Sequence, residues 1–181
     1  MAKIAHKEYG PELLCLEQKK WKMAHTITIT NKSIIDRCKK LSAYEGNETD
    51  SGNGESRFAD ILITKQEEPL ILDYISQAVQ RTYNILERLI ASTSSTEQNN
   101  VNALNWTMRD DILWPATKNG ALLNKHIEET IVAYVMKCWM DEKRSDRSAF
   151  YDGMYNNYID LVLHNAFASE APKKHRTIYG M

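Results

Sequence analysis

Most of the features that announce a chemistry are missing from this chain. Its only cysteines, Cys15, Cys38 and Cys138, are scattered over 181 residues. None of them share the short spacing of a zinc knuckle, and three are too few for a disulfide framework, so reduced thiols in the cytoplasm are expected. Neither sign of charge is in excess: 23 basic against 24 acidic residues leave a net charge of -1. Domains that live by gripping nucleic-acid phosphates show a clear basic surplus or stripe, so direct nucleic-acid binding is not expected. No stretch approaches the roughly 20 apolar residues of a membrane span. The N-terminus offers only Leu13-Leu-Cys-Leu16 between charged flanks, which is not a secretory signal. A soluble protein with no membrane partner is the expectation.

The motifs of enzyme chemistry are missing as well. There is no G-x-S-x-G elbow and no G-x-x-x-x-G-K-[ST] phosphate loop. His126-Ile-Glu-Glu129 lacks the second histidine that a zinc helix needs one turn on; Thr130 stands there. The sequence leaves open a meeting of His126 with His164 across the last two helices, from which metal binding is not expected. The carboxylate doublets Glu67/Glu68, Asp110/Asp111 and Glu128/Glu129 are adjacent in sequence, so their side chains diverge and form no acid–base dyad. The acidic, glycine-rich stretch 45–54 lacks the ordered ligand ladder of a calcium loop. Cys138, beside Trp139 in an apolar stripe, reads as core. No catalytic residue, cofactor or metal is expected.

What the chain does have is a core: 43% of its residues are hydrophobic. The organisation expected is an N-terminal extension over 1–23, a single mainly helical domain over 24–171 and a basic flexible tail over 172–181. Pro11 to Met23 can form a short helix, and translation can begin at Met1 or Met23. His25-Thr-Ile-Thr-Ile-Thr30 alternates strictly and predicts a strand. A helix capped by Asn31 or Ser33 follows to about Tyr44, with Ile34, Ile35, Cys38 and Leu41 inward. Glu45–Gly54, with three glycines, reads as a mobile loop. Thr64 and Glu67 form a capping box for a helix reaching about Ala91. Ser92–Asn100 reads as a solvated linker, and Leu104, Trp106 and Met108 alternate as a second short strand, whose pairing with the first the sequence leaves open.

Pro115 breaks the pattern, and two long helices close the chain. One runs from about Asn119 or Gly120 to Glu142. The other, capped by Ser145 or Asp146, runs to about Ala168 with Phe150, Met154, Tyr155, Tyr158 and Val162 inward. The fold expected is mainly α: a bundle of three to four main helices with a small two-stranded β element. Trp139, Tyr151, Tyr155 and Tyr158 gather on the last two helices. They make either an aromatic-rich core or a protein-binding face, because tyrosine and tryptophan are enriched at interfaces.

The text EEPLILDYISQAVQRTYNILERLI, followed by NKHIEETIVAYVMKCWMDEKRSDRSAFYDGMYNNYIDLVLHNAF, resembles the helical head–tail connector (neck or adaptor) proteins of tailed bacteriophages and prophages. The likeness spans about Glu67 to Phe167 and rests on helix pattern and aromatic placement. The strand at Ile27, the loop at 47–54 and the first 23 residues exceed a minimal connector. The resemblance implies a non-enzymatic subunit of a ring between portal and tail, in the bacterial cytoplasm or the virion. Its partners would then be copies of itself and the portal and tail proteins. Two other readings stay open. One is a helical DNA-binding or regulatory module using Lys19, Lys20, Lys22, Lys39 and Lys40. The other is a small enzyme with a site between helices, drawing on His126, His164 and Asp110.

Overall fold

The computed structural model describes residues 25–49, 58–98, 101–109 and 118–167. The expected helix at Pro11–Met23, the break at Pro115 and the basic tail lie outside them. The described elements, in order, are β1 (Thr26–Thr30), α1 (Asn31–Thr49), the short α2 (Phe58–Ile61), α3 (Glu68–Leu86), a 3-10 turn (Glu87–Leu89), β2 (Ile90–Gln98), β3 (Val101–Met108), α4 (Lys118–Lys143) and α5 (Ser145–Phe167). The architecture is mainly helical, with one small antiparallel sheet.

The sheet has three strands in the order β1-β3-β2, so the two-stranded element expected from sequence is one strand short. The strand not foreseen is β2, over residues read as a linker. Its sequence, IASTSSTEQ, has no apolar alternation because Ala91 to Ser95 are all exposed. A strand with neither face buried carries no period-two signal. Its β-branched threonines fit the pleat, and the bonds to β3 hold it. The pairing of β1 with β3, left open by the sequence, sets Ile27 opposite Trp106 and Ile29 opposite Leu104. Ile27, Ile29, Trp106 and Met108 are buried on the face toward the helices, and Tyr83 from α3 meets the Trp106 ring edge-on at 6.0 Å.

Two further boundaries differ. The helix expected to stop near Tyr44 runs to Thr49, through the start of the supposed loop, and Glu45 and Gly46 are buried. The cause is tertiary: Glu45 faces Arg147 on α5, described below. Second, α3 starts at Glu68 and ends at Leu86, so Ile90 belongs to β2. Thr64 and Glu67 do bond each other, the Thr64 amide and hydroxyl both donating to Glu67. That box closes the turn before the helix, and Glu67 makes no side-chain cap bond to it. A proline at the first helical positions sets the start.

Packing is dominated by α4, whose residues Thr130 to Met136 are all buried. A helix apolar on every side at mid-length is a central helix, and α5, α3, α1 and β1 all lie against it. Leu123, Ile127, Ile131, Val135 and Trp139 fill the core from α4, while Ile71, Ile75, Ala78 and Leu86 fill it from α3. From α5, Val162 is buried but Phe150, expected inward, is 50% exposed. It sits in the second turn, with the Arg147 guanidinium stacked 4.9 Å from its centroid.

Candidate interaction surface

The four aromatic candidates divide by depth. Trp139 is 1% exposed, and its indole N–H donates to the Ile61 carbonyl at 2.8 Å. Tyr151 is 2% exposed, and its hydroxyl donates to Glu45 at 2.8 Å. Both are spent inside the fold. Tyr155 is half-buried against Tyr134, centroids 5.4 Å apart, and Tyr158 is half-buried. Of these four candidates, Trp139 and Tyr151 belong to the core seam between α4 and α5, and Tyr155 and Tyr158 keep partial access to solvent.

Behind that seam lies a buried ionic group that sequence reasoning missed. Glu45 of α1, 1% exposed on its side chain, accepts from Arg147 Nε at 2.7 Å and Nη2 at 2.6 Å. Burial pushes its carboxyl up, but the bonds from Arg147 and Tyr151 and the charges of Arg147 and Arg144 outweigh that, and its pKa ends below the ordinary range. The same contact, with burial, raises the Tyr151 hydroxyl. Nearby Cys38 is buried, and desolvation pushes its thiol up to about 12, so it stays protonated and inert. Cys138 is half-buried and likewise raised by burial.

His126 does face α5, but it meets Asn165 at 2.8 Å, while His164 is exposed. The Asn165 amide also donates to the Leu161 carbonyl. With an N–H arriving at Nδ1, the neutral imidazole is favoured; burial, then the Lys125 charge, lowers the His126 pKa against the pull of Glu129. No group of three His, Cys, Asp or Glu side chains able to hold a metal occurs among the described residues. No described helix is long and apolar enough to cross a membrane.

Two surface features remain. The first is the β2–β3 hairpin. Residues Ala91–Ser95 are exposed along a strand whose substantial contacts among the described residues are with β3. As β1 is only five residues long, it backs β3 over Ala103–Thr107, and the hairpin extends beyond it to the Gln98–Val101 pair. The second is a cleft of about 430 Å³ where β1 passes into α1, lined by Thr30, Lys32, Ser33, Asp36, Arg37 and Lys40. Arg37 is tied to Glu129 at 2.6 Å, whereas Lys32 and Lys40 make no ion pair among the described residues. Lys39, part of the basic set considered for DNA, is engaged by Glu68 at 2.5 Å.

Compared with known proteins, the chain matches no family model, no curated protein and no solved structure.

Proposed function

We propose that this chain is a non-enzymatic assembly subunit, of the head–tail connector kind found in tailed phages and prophages, acting through protein–protein contacts and needing no cofactor. One observation carries the assembly reading: the hairpin of β2 and β3, exposed on both faces over Ala91–Ser95 and extending beyond the backing of β1. A long edge with a single charge, and with no strand beyond it among the described residues, is what folded proteins normally hide or blunt. An edge of this kind, with no strand beside it among the described residues, supports a neighbour in another molecule. The phage context comes from the sequence resemblance over Glu67–Phe167 and goes with expected copies of itself, portal and tail proteins as neighbours, in the host cytoplasm or the virion.

The test is the mass of the purified full chain by light scattering across a concentration series. A discrete, concentration-driven step from protomer to a closed multiple supports the reading, because head-to-tail contacts that close by rotation give rings of fixed size. A chain that stays monomeric at every concentration overturns it.

A further inference from the structure

The edges of the sheet differ in direction and charge in a way that selects one mode of contact. Only β3 is paired on both sides; among the described residues no strand covers the outer edge of β1 or of β2. Neither edge carries the lysines or prolines that usually blunt one: β1 reads TITIT, and β2 reads IASTSSTEQ with a single charge, Glu97. Both strands run antiparallel to β3, so they are parallel to each other. They are also level: Thr28 and Ser94 both stand opposite Asn105, and Thr30 and Thr96 both stand opposite Ala103.

We propose that copies of this chain join edge to edge, β2 of one copy adding as a parallel strand beside β1 of the next, with Ser94 level with Thr28. A second copy displaced sideways by one sheet width, without inversion, arrives with its β1 parallel to the waiting β2. Strand addition of this kind gains its affinity from backbone hydrogen bonds. The charges agree with this register. Past Thr30, β1 leads into the cleft where Lys32 and Lys40 lack ion-pair partners among the described residues. Past Thr96, β2 reaches its one charge, which is negative. Level pairing brings the acidic end of one strand to the basic cleft of its neighbour. The contact uses different surfaces on its two sides, so it repeats from copy to copy, giving a ring where the rotation between copies closes and an open filament where it does not. This inference rests on the assembly reading and names its surface.

The experiment uses the full chain with Cys15 and Cys138 replaced by serine. Thr28→Cys and Ser94→Cys are introduced singly and together, then oxidised mildly at concentrations where wild type assembles. The double variant should give a ladder of covalent dimers, trimers and higher species that neither single variant gives. Ser94→Lys, at an exposed position, should leave helical content unchanged while holding the chain as a monomer. Lys32→Glu with Lys40→Glu should raise the concentration needed for assembly about tenfold. Assembly that persists in Ser94→Lys, with no ladder, overturns the pairing and leaves the assembly reading standing. Dimers from Ser94→Cys alone overturn it in favour of antiparallel self-pairing of β2. A wild-type chain that never assembles overturns both.

Discussion

Trp139 holds two elements with one side chain. Its ring fills the core from α4, and its N–H satisfies the Ile61 carbonyl at the end of α2. Trp139→Phe keeps most of the apolar volume but leaves that carbonyl unpaired in a dry site, which costs about 1–3 kcal/mol. Urea unfolding should show that loss with an unchanged slope, because the surface exposed on unfolding barely alters. Glu45 and Arg147 give a sharper, asymmetric case. Removing one partner of a buried ion pair costs about 3–5 kcal/mol because the other charge is stranded. Arg147 keeps 28% of its side chain exposed and Glu45 only 1%. Glu45→Gln strands the wetter group and should cost about 2–3 kcal/mol, while Arg147→Met strands the drier one and should cost more. Equal losses in the two denaturation curves would contradict the burial argument.

Among the elements, those whose buried face repeats at a helical or strand period were legible from sequence. Ile71, Ile75, Ala78, Thr82 and Leu86 on α3, and Leu123, Ile127, Ile131 and Val135 on α4, occupy the core as their spacing requires. Elements held by something other than one apolar face were not. The last turns of α1 contain a glycine and acids that look like loop, and their helix depends on Arg147, 102 residues away. For β2, the polar composition concealed a strand defined by pairing alone. The candidate site followed the same division: the aromatics were found by composition, but their depth and the hairpin edge appeared only in three dimensions. Glycine shows how position decides sign within elements. An added Cβ at Gly153, inside α5, meets nothing within 4 Å. Gly153→Ala should therefore stabilise by about 0.5–1 kcal/mol through lower chain entropy when unfolded and better helix propensity. At Gly120, in the first turn of α4, the same atom would come within 2.5 Å of His25 Cε1 and 2.8 Å of Nδ1. The His25 Nε2 is shut off from solvent, so the ring has little room to yield. Gly120→Ala should destabilise by about 1–3 kcal/mol, as overpacking does. Melting temperatures moving in opposite directions for the two variants are the check.

For the whole molecule, the same buried groups set the response to acid. His126 has a folded pKa below its unfolded value, so between the two the unfolded chain binds more protons, and stability falls as pH drops through that window. The loss begins near the unfolded histidine value of about 6.5. The Glu45 pKa is also lowered by folding, so its contribution is full above the unfolded carboxylate value of about 4.3 and is lost as pH falls toward the folded one. The two effects have the same sign and act in sequence: His126 first, then Glu45. Thermal melts of the monomeric Ser94→Lys chain from pH 7.5 to pH 3.5 should therefore show a shallow decline beginning below about pH 6.5 and a steeper one below about pH 4.5. His126→Gln, in that background, should flatten the first decline and leave the second. Glu45→Gln should lower the whole curve and flatten the second. If His126→Gln left the shallow decline in place, His126 would not be its source, and the neutral imidazole held by Asn165 would not be a feature of the folded chain in solution. If both variants kept the full profile, acid sensitivity would have to come from the exposed carboxylates through net charge, and the link between α1 and α5 would carry less of the fold than its burial requires.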